Sequence, residues 1–286
     1  MLLLLSYNTV AGHWVTGRNR HAPRDPETGI LRGAEPRTLG PDDAPVAVLL
    51  VHGYLGGSNN FADLPDRLAA CGWRVRVMRL PGHGTSPEDL ERVTVDDFVH
   101  SVEVEYDALR ARYKKVVLVG HSMGGALCTI MASRHEVDGL VLAAPYFGVT
   151  YRWFYILRPE TWAEISRPLV RWVYKGRHFV RVNRKEVRDE IISYAWVPTQ
   201  SVRTLLKLAE EANRPDVLEN ISCPVLWLHA PGDRAASFTA AAKAVEAMPA
   251  AQKRTVTLER SDHILFWDYD REQVATEIEQ FIRSLL

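Results

Sequence analysis

The chain has 286 residues, 47% of them hydrophobic, with 35 Lys and Arg balanced by 35 Asp and Glu. That length and apolar content suit one large α/β domain with an insertion and a sizeable core, and a net charge of +0 excludes a global field that would draw nucleic acid or acidic partners. Cys71, Cys128 and Cys223 are too few and too scattered for a disulfide framework or a metal-binding C-x-x-C pair; they read as core thiols, which suits a reducing, cytoplasmic setting.

Met1-Leu2-Leu3-Leu4-Leu5 is apolar but ends at Ser6-Tyr7-Asn8. The run is far short of the roughly 20 residues that span a bilayer and lacks the basic leader of a signal peptide. It reads as a short ordered segment packed on the domain, with the tail of a membrane anchor as the alternative; Arg18, Arg20 and Arg24 suit either. Residues 6–44 are rich in Gly, Pro and charge and weak in periodicity, so 1–44 reads as an N-terminal extension with short edge strands.

Val46–Val51 is the first core strand, running into the Gly-rich loop His52-Gly53-Tyr54-Leu55-Gly56-Gly57-Ser58. A helix is expected over Asn60–Cys71 and a strand over Trp73–Leu80. Residues 94–112 form an amphipathic helix, because Val95, Phe98, Val99, Val102, Tyr106 and Leu109 share one stripe, with Thr94 as N-cap. Lys115–Val119 is a buried strand, Gly125–Ala132 a helix and Val137–Ala144 the next strand. After residue 198 come helices over Ser201–Ala212, Ala236–Met248 and Arg271–Leu286, and strands over Pro224–His229 and Arg254–Leu258. Such alternation implies a mostly parallel central sheet with helices on both faces. The core is thus 45–145 and 199–286.

Residues 146–198 break the alternation and read as a cap insertion. They hold 12 of the chain's 26 aromatic residues, among them Trp153, Trp162, Trp172, Tyr174, Phe179 and Trp196, and ten Lys or Arg against five Asp or Glu. A roof over an apolar pocket needs such surface, and aromatics mixed with cations also suit a weak association with a lipid surface. The competing reading is that these rings simply pack the segment onto the domain, which suits a single ring better than the whole cluster.

The chemistry centres on Gly120-His121-Ser122-Met123-Gly124, a G-x-S-x-G turn between a strand and a helix. A serine there is pushed out to where its hydroxyl can attack a carbonyl, and the helix start behind it offers free N–H groups. A serine needs a base and an orienting acid. Asp233 and His263 each follow a strand, at the carboxyl edge where open α/β sheets place their sites, in the order Ser, acid, His. Asp262 is the rival acid, but a side chain next to His263 is poorly placed to reach its ring nitrogen and reads as a local cap. His121 reads as a packing and hydrogen-bonding residue, and no other histidine has a comparable placement. The N–H groups of Tyr54 and Met123 are the expected oxyanion donors. No phosphate-loop pattern follows the Gly-rich loop.

His52-Gly53, the Gly120–Gly124 elbow, Gly232-Asp233 and Asp262-His263 resemble the α/β-hydrolase family over about residues 40–286. Leu55-Gly56-Gly57-Ser58, the segment Leu80–Leu90, Pro198-Thr199 and the Met of G-x-S-M-G are similar to the small bacterial carboxylesterase and monoacylglycerol lipase group. The resemblance implies an α/β-hydrolase fold with an inserted cap, Ser122 as nucleophile, Asp233 as acid, His263 as base, and no metal or cofactor. Asp262 and Ala235-Ala236 depart from the group's usual residues. The expected activity is hydrolysis of a small-molecule or monoacyl lipid ester. The alternatives are the same triad acting on an amide, thioester or carbon–carbon bond, and a non-enzymatic binding protein on this fold. Substrate-binding residues within 146–198, acyl length and oligomeric state are not legible.

Overall fold

The computed structural model describes residues 2–150, 169–176 and 179–286. The aromatic residues Tyr151, Trp153, Phe154, Tyr155 and Trp162 of the expected cap lie outside them. The central sheet has seven strands: β1 (Arg37–Leu39), β2 (Val46–Val51), β3 (Arg74–Val77), β4 (Lys115–His121), β5 (Gly139–Ala143), β8 (Val225–His229) and β9 (Lys253–Thr257). Their order is β1-β3-β2-β4-β5-β8-β9. Only β1 runs antiparallel, against β3; the other neighbours are parallel.

Strand β2 shows why. Its sequence Val-Ala-Val-Leu-Leu-Val is buried at all six positions, and successive side chains point to opposite faces. Ala47, Leu49 and Val51 enter one core, with Phe98 and Val102 of α4 (Val95–Arg110), Leu127 of α5 (Met123–Arg134), and Leu205 and Leu208 of α6 (Thr199–Ala212). Val46, Val48 and Leu50 enter the other, with Leu64 and Leu68 of α2 (Leu64–Ala70) and Ile278 and Ile282 of α9 (Arg271–Ser284). Two covered faces demand an unbroken apolar run. Each large side chain so buried contributes about 1.5–3 kcal/mol. Helix α4 begins with a capping box: Asp97 N–H donates to the Thr94 hydroxyl at 3.1 Å, and Thr94 N–H donates back to the Asp97 carboxylate at 2.9 Å. The described residues also form α3 (Pro87–Arg92), α7 (Pro215–Leu218) and α8 (Phe238–Ala247).

The N-terminal extension contains what its composition hides. Leu2–Arg20 is a helix, α1, where little regular structure is expected. Ala11 and Val15, one turn apart, bury against Trp172. Tyr7 Oη donates to the Trp172 carbonyl at 2.7 Å, and Asn8 bonds Leu169 and Arg171. The helix owes its docking to these long-range contacts, not to a strong amphipathic stripe. No described helix is long and apolar enough to cross a membrane. The described part of 146–198 carries an antiparallel pair, β6 (Trp172–Tyr174) with β7 (Trp196–Pro198), and a small cluster of Val180, Val182, Val187 and Ile191 on Ile264.

Two buried histidines brace the loops at the carboxyl edge. His52 Nε2 accepts from Leu80 N–H at 3.1 Å, so its Nδ1–H donates to the Gly53 carbonyl at 2.9 Å. His83 Nε2 accepts from Leu55 N–H at 3.1 Å, and its Nδ1–H donates to the Pro81 carbonyl at 2.9 Å. Each ring needs one bare nitrogen and so must be neutral. Burial, aided by the neighbouring His83, lowers the His52 pKa to about 3, and burial lowers His83 to about 4.

In the unfolded chain both rings titrate near 6.5. The unfolded state therefore takes up protons first as pH falls, and stability present above pH 6.5 is lost between 6.5 and 4. Each ring steepens the loss by about 1.4 kcal/mol per pH unit. Thermal melts from pH 7.5 to 5 should show Tm falling below 6.5, and His83→Gln should flatten that slope. An unchanged slope in the variant contradicts the assignment.

Candidate active site

Strand β4 ends at His121 and helix α5 starts at Met123, so Ser122 makes the whole turn alone. Its φ of 54° and ψ of −118° lie where a residue with a side chain is strained. Neighbouring packing holds it there: Ser122 N–H donates to the Ala143 carbonyl at 3.0 Å, and its own carbonyl accepts from Gly125 and Tyr146 at 2.9 Å. The flanking glycines are required by close approach. A Cβ on Gly124 would sit 1.9 Å from the Val51 carbonyl oxygen, and one on Gly120 would sit 2.4 Å from the Gly124 oxygen.

The loops after β8 and β9 converge on this turn. His263 Nε2 lies 2.8 Å from Ser122 Oγ, and its Nδ1 lies 2.8 Å from Asp233 Oδ2. With Nδ1–H donating to the carboxylate, Nε2 is the free lone pair facing the hydroxyl. Asp233 is buried. Its Oδ1 accepts from the N–H groups of Ala235 at 2.7 Å and Ala236 at 2.9 Å. Its Oδ2 also accepts from His229 Nε2 at 3.1 Å. The His229 tautomer is set from behind, since Trp227 Nε1–H donates to its Nδ1 at 3.2 Å. Burial pushes the Asp233 carboxyl up, but its electrostatic attraction to the His263 ring and the hydrogen bonds from His229 and His263 outweigh it. The group is held well below the usual carboxylate range.

His229 is the residue that sequence reasoning passes over. Its signal was its position at the end of β8, four residues before Asp233. Asp262 makes no bond to the His263 ring. Its carboxylate accepts from Arg234 N–H at 2.9 Å and Arg234 Nε at 2.7 Å, which locks the acid loop to the histidine loop. Asp268 adds a second lock, accepting from Asp262 N–H at 2.8 Å and from Asn183 N–H at 2.8 Å in the 146–198 segment. His121 Nε2 lies 3.0 Å from the His263 carbonyl. Burial and the nearby His263 lower its pKa to about 3, so it too stays neutral.

A cavity of about 660 Å³ opens over Ser122 and His263. Its lining includes Tyr54 and Leu205 from the core, and Tyr146, Val149, Phe179, Val180 and Ile192 from residues 146–198. Met123 follows Ser122 in the chain and Tyr54 follows Gly53, where an added Cβ would sit 3.0 Å from the Ser122 Cβ; neither amide has an acceptor among the described residues. No group of three or more His, Cys, Asp or Glu able to hold a metal occurs among the described residues.

The arrangement has known counterparts. A family profile described as "Serine aminopeptidase, S33" matches residues 42–270. The thermostable monoacylglycerol lipase of Bacillus sp. (strain H-257) is 30% identical over 253 residues, spanning 86% of this chain and 92% of that protein. The carboxylesterase of Bacillus subtilis (strain 168) is 22% identical over 242 residues, spanning 84% and 93%. The solved monoacylglycerol lipase of Paleococcus ferrophilus superposes with a TM-score of 0.74 at 18% identity, over 88% of this chain and 99% of that one; at that identity the likeness speaks for the fold. A profile running from the first core strand to the last helix, matched by a serine–histidine–carboxylate chain at the carboxyl edge of the sheet, places the chain in the serine aminopeptidase S33 family of α/β hydrolases.

Proposed function

We propose that the chain hydrolyses carboxylic esters, monoacylglycerols and other small monoacyl esters among them, through an acyl-enzyme on Ser122. The observation that carries this reading is the continuous Ser122–His263–Asp233 hydrogen-bond chain beneath a largely apolar cavity. The monoacylglycerol lipase and carboxylesterase relatives support the ester class.

In this mechanism His263 Nε2 takes the Ser122 proton as Oγ attacks the ester carbonyl. Asp233 stabilises the imidazolium, and its other donors keep it ionised and aimed. The Tyr54 and Met123 amides bind the oxyanion. His263 then protonates the departing alcohol. Water, deprotonated by His263, attacks the acyl-enzyme and frees the acid. No metal or organic cofactor takes part. Residues 146–198 act as the cap, with Tyr146, Val149, Phe179, Val180 and Ile192 lining the acyl site. The family description points to peptides as the competing substrate class. A free substrate α-amine needs a carboxylate to bind it, and the described cavity lining has none, which favours the ester.

Ser122→Ala should lower kcat by on the order of 10⁴ to 10⁶ without unfolding the chain, and a fluorophosphonate should label the wild type at Ser122. Labelling at another serine removes the assignment. Asp233→Asn should cost about four orders of magnitude, His229→Ala less, and Asp262→Asn least; a larger loss in Asp262→Asn than in Asp233→Asn would reverse the acid assignment.

Acyl-chain length tests the pocket. Each methylene buried contributes about 0.8 kcal/mol, nearly fourfold in kcat/KM. Across p-nitrophenyl esters from acetate upward, kcat/KM should rise to medium chains and then level off as the cavity fills. A flat profile would contradict an apolar acyl site.

A further inference from the structure

The cavity over Ser122 is apolar on most sides but not on all. Lys175, Arg181 and Arg234 line it, and no Asp or Glu does among the described residues. Arg234 is neutralised by its ion pair with the buried Asp262. Lys175 and Arg181 have no carboxylate partner among the described residues. Lys175 Nζ donates to Ser193 Oγ at 3.3 Å, which leaves two of its three N–H bonds unused. The Arg181 guanidinium lies over the Phe179 ring, 4.8 Å from its centre, which leaves its N–H edge open.

Two cations side by side against apolar surface oppose folding. Each loses hydration, and each repels the other. Burial first, and then Arg181, push the Lys175 ammonium down to about 8, which still leaves it mostly charged at neutral pH. An opposite charge in the cavity would offset these costs, and the described lining supplies none. Both residues belong to the segment that roofs the pocket, while the ester-cleaving groups lie on the floor.

We propose that Lys175 and Arg181 bind an anion carried by the substrate itself, so that preferred esters bear a carboxylate or phosphate away from the scissile carbonyl. The proposal rests on ester hydrolysis at Ser122 and specifies its substrate class. The anion has two sources. It sits on the acyl half in a half-ester of a dicarboxylic acid, or on the alcohol half in a phosphorylated glycerol monoester. The chemistry at Ser122 is unchanged: the acyl C–O bond breaks, water supplies the new C–O bond, and the alcohol leaves with a proton.

The test uses two matched pairs with the full-length enzyme. One is monoethyl adipate against ethyl hexanoate. The other is a medium-chain monoacylglycerol phosphate against the same monoacylglycerol. At low salt the anionic member of one pair should have the higher kcat/KM, mainly through a lower KM, and that pair names the source. The advantage should shrink as NaCl is raised, since exposed charge attraction is screened. Lys175→Gln should cut the anionic-to-neutral ratio roughly 10- to 100-fold, the worth of a charge-assisted hydrogen bond, and Lys175→Arg should restore most of it. If Lys175→Gln does not fold, the wild-type salt dependence decides. Preference for the neutral member in both pairs, or an anionic preference that salt and Lys175→Gln both leave intact, overturns the proposal. Failure to cleave all four esters overturns the ester reading beneath it.

Discussion

The site depends on keeping one carboxylate ionised inside the protein. Asp233 is buried, and a lone charge there would neutralise itself or unfold its surroundings. Four donors prevent that: the rings of His263 and His229 and the amides of Ala235 and Ala236. The two amides come from the turn that Asp233 itself begins, so the loop and the charge stabilise each other. His229 is oriented by Trp227 on the strand below. The negative charge at the end of this chain gives His263 one tautomer and one orientation, with its free nitrogen on Ser122.

Around that charge, the loops at the carboxyl edge of the sheet are joined through the buried carboxylates Asp262 and Asp268 and the buried rings of His52 and His83. Asp262 and Arg234 tie the acid loop to the histidine loop, and Asp268 ties the latter to residues 183 and 184. His52 and His83 do the same for the Gly-rich loop beside Ser122. Each of these groups is satisfied only when its neighbours are in place, so the loops are ordered jointly. A rigid site of this kind tolerates the backbone strain at Ser122, because the surrounding bonds and close glycine contacts leave that residue no relaxed alternative.

The roof is built differently. Its described part is a two-stranded ribbon, a small apolar cluster and the docked helix α1. It contributes Phe179, Val180 and Ile192 to the cavity, and also Lys175 and Arg181. In the proposed function the floor of the site carries the bond-breaking groups, and the roof carries the side chains that distinguish one ester from another.

What the sequence determined by itself was whatever local pattern dictates. Val46–Val51 and Lys115–Val119 announced buried parallel strands because a sheet covered on both faces needs uninterrupted apolar runs. The G-x-S-x-G turn, the acid after β8 and the histidine after β9 were legible because strand ends set where loops emerge. Tertiary structure alone decided the rest. Helix α1 was hidden because its stability comes from Trp172, more than 150 residues away in sequence, and not from its own periodicity. The role of His229 was hidden because nothing in Leu-His-Ala-Pro-Gly-Asp says that a ring at the end of a strand turns toward a carboxylate four residues on. The pairing of Asp262 with Arg234, and the meeting of Lys175 with Arg181 in the cavity of Ser122, arise where separate loops come together. Contacts of that kind are set by the packing of the whole domain, and no short window of sequence contains them.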